Sequence, residues 1–332
     1  MRRPLPSDSR IAIVGPGAIG SLFAALMARS GCDVFLLDRQ QQRATQRANT
    51  AISVHEQRAT WHANVKSSTR ASDFKNSDAV FICTKAYDTV SAVKSIAPLV
   101  GSETIVVSLQ NGIGNAEHIE TIAAKHCICA STAMGALLDE TENVHWTGHG
   151  ITQLAPFEDT EPCDAECIGK ILTAAQCECH LQDNAQAMLW EKLIINAAIN
   201  PVTAIHGISN GELLQHPEAR KQAFATACEA KRVATALGIT LSYEDPTAAV
   251  IEVCTKTARN RSSMLQDIEH GRPTEIEAIT GAIITEANRL HIPIPMNEKL
   301  YSMIQTQQGV VGSWMWEVER GKLEVGRPRS PR

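Results

Sequence analysis

The sequence predicts an α/β N-terminal Rossmann-type domain with a mostly parallel sheet, followed by an all-helical C-terminal domain. Three observations carry this expectation. A short apolar run, Arg10 to Val14, leads into Gly15-x-Gly17-x-x-Gly20 and then into an apolar segment of helical composition, the strand–turn–helix order of a dinucleotide fold. Strand-like and helix-like runs then alternate, as in a parallel sheet with crossover helices. Beyond about Asp183 the texture changes to long helical segments, and strand signals nearly vanish.

Taken in order, Arg10 to Val14 reads as a buried strand and Ala18 to Arg29 as a helix stopped at Gly31. Asp33 to Leu37, Ala79 to Cys83 and Thr104 to Leu109 read as further strands, with a helix over Thr89 to Leu99. Ile128 to Pro156 is less regular; Val144 to His149 and Ile151 to Ala155 are expected to form an antiparallel pair around Gly150. Ala185 to Ile199, Pro217 to Leu237, Pro246 to Ile268 and Thr274 to Leu290 read as helices. The expected domains are therefore 1–183, which binds a dinucleotide, and 184–325, which is helical and carries the substrate. A Pro- and Arg-rich tail, 326–332, is expected to be disordered.

Composition narrows the function classes. The chain has 332 residues, 44% apolar and 20% charged, as a two-domain globular protein should. Its formal charge of −5 argues against a nucleic-acid binder, and no long uncharged apolar stretch suggests a membrane span. Arg2 and Arg3 ahead of an apolar run imitate a secretory signal, but the three glycines fit a strand–turn–helix better. A cytoplasmic location is expected, with the ten cysteines mostly reduced.

Each glycine of the fingerprint has a physical task. Gly15 permits the tight turn, Gly17 lets a pyrophosphate approach the backbone, and Gly20 lets helix and strand pack closely. Ala18 and Ile19 open the helix whose N–H groups face the anion. At the end of the second strand, Asp38 favours the ribose hydroxyls of NAD whereas Arg39 can accommodate the 2′-phosphate of NADP. On these residues alone the choice is even.

Lys192, Asn196 and Asn200 stand at i, i+4 and i+8 of an otherwise apolar helix, so they share one face. A lysine and two amides there suggest a site for a ligand rich in oxygen, against the alternative of a solvent-facing stripe. A second polar cluster runs from Asn260 through Ser262 and Ser263 to Thr274, Glu275 and Glu277. By itself it reads as a helix end followed by a capping box of Thr274 with Glu277.

Seven motifs in order point to one family: Gly15-x-Gly17-x-x-Gly20, Lys85-Ala-Tyr-Asp, Gln110-Asn111-Gly112-x-Gly114, Lys192-Leu-x-x-Asn196-x-x-x-Asn200-Pro201-x-Thr203-Ala204, Asn210-Gly-Glu-Leu, Ser262-Ser263-Met-Leu-Gln-Asp267 and Thr274-Glu275-Ile276. The chain resembles the ketopantoate reductases (2-dehydropantoate 2-reductases) over roughly Ile11 to Leu300. The resemblance implies NADPH-dependent reduction of 2-dehydropantoate to (R)-pantoate, a step toward pantothenate and coenzyme A. It implies Lys192 as general acid, supported by Glu275. Asn196, Asn200 and Ser263 are implied as substrate ligands, with Asn210 and Asn260 beside them. Lys85 and Asn111 are implied as cofactor contacts, and Arg39 as the reader of the 2′-phosphate, which tips the cofactor toward NADP. The implied partner is a small 2-oxo acid, and a homodimer is compatible with the family. Asp38 and Thr280, the latter where many relatives carry Asn, depart from the pattern.

The remaining constellations read as packing. Cys163-x-x-x-Cys167 and Cys177-x-Cys179-His180 lack the paired spacing of a structural zinc site. His145 and His149 are expected in a turn between strands, Trp314 and Trp316 as packing residues, and no metal site is expected. Two other functions compete: a paralogous reductase of another branched 2-oxo acid to a D-2-hydroxy acid, and a non-catalytic NADP(H) sensor responding through the Cys163–Cys179 region. Lys192 and Glu275, which a sensor does not need, weigh against the second.

Overall fold

The computed structural model describes residues 9–57, 59–123 and 125–319, with residues 310–319 as backbone only. The start of the N-terminal extension, the 326–332 tail and the side chains of Trp314 and Trp316 lie outside the described residues. The chain divides into two compact units, Met1–Leu189 and Trp190–Arg332.

The first unit contains β1 (Arg10–Val14), α1 (Ala18–Arg29), β2 (Asp33–Leu37), α2 (Gln41–Asn49), β3 (Ile52–Glu56), β4 (Ala59–Ala63), β5 (Lys66–Ser68), β6 (Ala79–Ile82), α3 (Thr89–Ile96), β7 (Ile105–Ser108), α4 (Asn115–Ala123), β8 (Cys127–Thr132), β9 (Gly135–Leu138), β10 (Val144–Gly148), β11 (Thr152–Pro156), α5 (Pro162–Ala174) and β12 (Cys179–Leu181). Eight strands form one sheet in the order β12-β11-β8-β7-β6-β1-β2-β5, parallel except for the β8–β11 pair. Numbered within this sheet, the strands from β5 to β8 run 3-2-1-4-5-6, the doubly wound order, in which the strand order reverses between β1 and β6. The inner strands β1, β6 and β7 are apolar at almost every position because helices cover both faces.

A second sheet, β4-β3-β10-β9, packs on α1. That helix is therefore enclosed between two sheets, which is why Gly20 through Met27 are all buried. This explains the long apolar run that imitated a signal core. It also corrects the expected pair around Gly150. β10 pairs with β9 and, in parallel, with β3, while β11 joins the large sheet beside β8. His145 consequently lies within a strand rather than in a turn, and only His149 follows the strand's end.

α6 (Ala185–His206) crosses the division between the units. It continues well beyond Ile199 despite Pro201, whose ring leaves the Ala197 carbonyl without its usual donor. Burial of Ala197, Ala198, Val202 and Ala204 on either side of the proline favours continuation. The second unit adds α7 (Asn210–Gln215), α8 (Pro217–Ala236), α9 (Pro246–Lys256), α10 (Ser263–Glu269), α11 (Ala282–Arg289) and α12 (Pro295–Glu319). α8 presents buried Ala219, Ala223, Ala227, Ala230 and Ala234, a narrow face that lets α9 and α12 approach.

Two helix expectations are corrected here. Pro246 to Ile268 is broken into α9 and α10, because Ser262 caps α10 by accepting the Leu265 N–H at 3.1 Å. Thr274 and Glu277 form no capping box: the Thr274 hydroxyl accepts the Ile276 N–H at 3.3 Å, and Glu277 turns to Tyr301 and Gln305 at 2.5 and 2.6 Å. Residues Glu277–Gly281 form one π-helical turn ahead of α11, a distortion often found at functional positions.

Candidate active site

The glycine loop leaves β1 at the strand-order reversal, where α/β sheets bind nucleotides. Gly15 has φ +86°, and a Cβ there would lie 2.6 Å from the Thr84 N atom beyond β6. Gly20 is equally constrained, since its Cβ would meet the Gly15 carbonyl oxygen at 2.4 Å. Around Gly17 the opposite holds: a Cβ would meet nothing within 4 Å. α1 has no side-chain cap and no acidic residue in its first turn, formed by Ala18 and Ile19, so the positive helix end is unopposed. The loop therefore fits a dinucleotide pyrophosphate.

Arg43 and Arg47 on α2 hold this loop from behind, donating to the Pro16 carbonyl oxygen at 3.0 and 2.9 Å. Both also pair with Glu142, from the turn between β9 and β10. The same arginines lie 3.6 and 4.0 Å from the buried Asp38 carboxylate. Asp38 thus faces two guanidinium groups, which offsets the charge that would repel a 2′-phosphate. Arg39 is more exposed and pairs with Asp88 at 2.9 Å, so it links the end of β2 to the turn that leads into α3.

Lys85 and Asn111 follow β6 and β7 at the same edge of the sheet. Their loops are tied by buried Gln110, which donates to the Thr84 carbonyl at 3.2 Å and the Thr89 hydroxyl at 2.8 Å. Asn115 completes the tie, donating to the Asn111 carbonyl at 3.0 Å. Sequence reasoning missed Gln110, Thr89, Asn115, Arg43, Arg47 and Glu142 as positioning residues. Arg43 and Arg47 did carry a signal, an i, i+4 basic pair just after Asp38.

In the second unit, α6 presents Lys192, Asn196, Asn200 and Thr203 along one face. Burial pushes the Lys192 ammonium down to about 8, opposed by the buried Glu275 carboxylate, which favours its charged form. Thr203 donates to the Ser262 hydroxyl at 2.7 Å, which fixes α10 against this face. Ser263 is then the first residue of α10 and is exposed. Asn210 is buried; its amide donates to Thr257 at 2.8 Å, and its backbone N–H donates to the Asn260 carbonyl at 3.0 Å. The residue Asn260 is exposed, and its backbone bonds to Asn210 and Thr257. Thr280 is fully buried within the π turn.

Burial pushes Cys177 up to about 12 and Cys179 up to about 11, which keeps them as inert thiols.

A lysine whose charged form a neighbouring carboxylate favours is useful where a carbonyl oxygen gains negative charge, and a nucleotide loop in the same chain fits a hydride donor. Fold and glycine loop define a dinucleotide-binding α/β protein. Comparison with known proteins specifies the member of that class. The family model for ketopantoate reductase PanE/ApbA matches residues 11–159, and that for its C-terminal region matches residues 184–308. The chain belongs to the ketopantoate reductase family. A 2-dehydropantoate 2-reductase of Archaeoglobus fulgidus is 34% identical over 300 residues, covering 89% of this chain and 97% of its own. The crystal structure of 2-dehydropantoate 2-reductase from Geobacter metallireducens aligns with TM-score 0.84 and 28% identity, over 90% of this chain and 99% of that one. D-mandelate dehydrogenase with NADH and anilino(oxo)acetate shares the fold at TM-score 0.84 and 24% identity, over 91% of this chain and 99% of that one.

Proposed function

We propose that this protein reduces 2-dehydropantoate to (R)-pantoate with NADPH, serving pantothenate and coenzyme A synthesis, with Lys192 as the proton donor. The observation that carries the reading is Lys192 beside buried Glu275 at the head of the Asn196–Asn200 face. The first unit would hold the cofactor through the Gly15–Gly20 loop, Lys85 and Asn111, with Arg39 on the 2′-phosphate. Bound NADPH supplies a hydride to C2 of the 2-oxo acid. Lys192 stabilises the oxyanion that develops there and donates the proton that makes it a hydroxyl. Glu275 keeps Lys192 charged in surroundings that would otherwise strip its proton. Asn196 and Asn200 orient the substrate oxygens through amide hydrogen bonds, with Ser263 assigned to the same task.

Initial-rate assays with 2-dehydropantoate, run in parallel with NADPH and NADH, test this reading. NADPH-selective turnover is expected. Measurable NADPH binding without turnover of this substrate would overturn it in favour of another 2-oxo acid.

A further inference from the structure

The small sheet beside α1 carries a cluster that the nucleotide site does not use. His55 on β3 and His145 on β10 are direct partners in a parallel register. Their rings stack with centroids 4.8 Å apart and planes 19° apart. Asp139, just beyond β9, places Oδ2 2.9 Å from His145 Nε2. One donor atom from each of the three residues falls within 4.8 Å of the others. From these positions we propose that His55, Asp139 and His145 form a binding site for a divalent cation of the zinc class, with one coordination position left to water.

The donor set argues for that class of ion. Two imidazoles and one carboxylate suit a borderline cation such as Zn²⁺, whereas Mg²⁺ and Ca²⁺ take oxygen ligands. Bonds of about 2.0–2.1 Å in a tetrahedron put neighbouring donor atoms roughly 3.3 Å apart. In the cluster the three donor atoms lie within 4.8 Å of one another, on strands already held in register.

The ligands are also supported from behind. Asp139 Oδ1 accepts the Thr141 and Asn143 N–H groups at 2.9 and 3.0 Å, so the turn fixes the carboxylate. Thr60 engages His55 Nδ1 at 2.9 Å, leaving Nε2 as that ring's donor to a cation. Such outer partners orient ligating histidines in known metal sites.

Cobalt(II) titration of the full chain tests the proposal, with Cys228→Ser as background to remove the exposed thiol. Expected are one equivalent bound, the d–d absorption of a tetrahedral site, no sulfur-to-cobalt charge-transfer band, and displacement by Zn²⁺ but not Mg²⁺. His55→Gln and His145→Gln should each weaken binding by about tenfold or more. Both variants should keep the parent melting temperature without metal, and only the parent should gain several degrees with Zn²⁺. Absence of saturable uptake, a charge-transfer band marking cysteine ligation, or unchanged affinity in both histidine variants would overturn the assignment.

Discussion

Arg47 and Glu142 form an ion pair that ties α2 to the turn between β9 and β10, directly behind the nucleotide loop. Arg47 is 5% exposed and simultaneously donates to the Pro16 carbonyl oxygen at 2.9 Å. One guanidinium therefore couples the small sheet to the backbone of the glycine loop. Glu142→Ala should leave that guanidinium with only the more distant Asp38 as a carboxylate partner. We expect a loss of about 1–3 kcal/mol of stability and a several-fold rise in KM for NADPH, with kcat little changed. Urea unfolding and steady-state kinetics check this; an unaltered KM with lowered stability would make the pair purely structural.

The ionisation of Lys192 makes a prediction about pH. The donor form is the ammonium, so reduction should be supported below about 8 and decline as pH rises through it. The alcohol oxidation, which needs the neutral amine, should show the opposite limb. Glu275→Gln removes the interaction that raises the Lys192 value, so the alkaline limb should move to lower pH. Lys192→Ala should lower kcat by about 10²–10⁴-fold while NADPH affinity stays near that of the parent. An alkaline limb unmoved by Glu275→Gln would separate the two residues.

Arg39, just after β2, pairs with Asp88 in the turn before α3. The arginine is exposed and its partner only half-buried, so the pair's own contribution to stability is about 0–1 kcal/mol, and the guanidinium can exchange Asp88 for a phosphate at little cost. Arg39→Ala should weaken NADPH binding about tenfold or more and leave NADH binding nearly unchanged. Fluorescence titration with both nucleotides checks the difference; equal losses would show that Arg39 does not read the 2′-phosphate.

Glu229 on α8 accepts the N–H groups of Met296 and Asn297 at 3.0 Å and the Asn297 amide at 2.9 Å. It thereby closes the start of α12 from a neighbouring helix. Glu229→Ala strands these donors, those of Asn297 buried, and should cost about 2–4 kcal/mol, read as a lowered urea midpoint. Turnover at low temperature should persist, because no proposed substrate or cofactor ligand is touched.

Much of the nucleotide-binding half was legible because its signals are local. The boundaries of β1, α1 and β2 agree with the sequence reading: glycine chemistry and apolar runs are properties of neighbouring residues. The pairing of β10 was not legible. Its parallel partner, β3, lies about ninety residues earlier, and alternation along a strand carries no record of what pairs with it. The same limit applies to Pro201, where burial on both sides outweighs a local breaker, and to Thr274, whose expected partner Glu277 is drawn away by Tyr301 and Gln305.

By itself, then, the sequence determined the fold class, the phosphate loop and the polar face of α6, each written in spacings of a few residues. Only the tertiary structure decided that Asp38 would face Arg43 and Arg47, that Ser262 rather than Ser263 would be pinned by Thr203, and that His55 would stack on His145. Those outcomes depend on which buried charges and hydrogen-bonding groups meet across distant segments, and burial is what makes an unmet partner costly enough to select one arrangement.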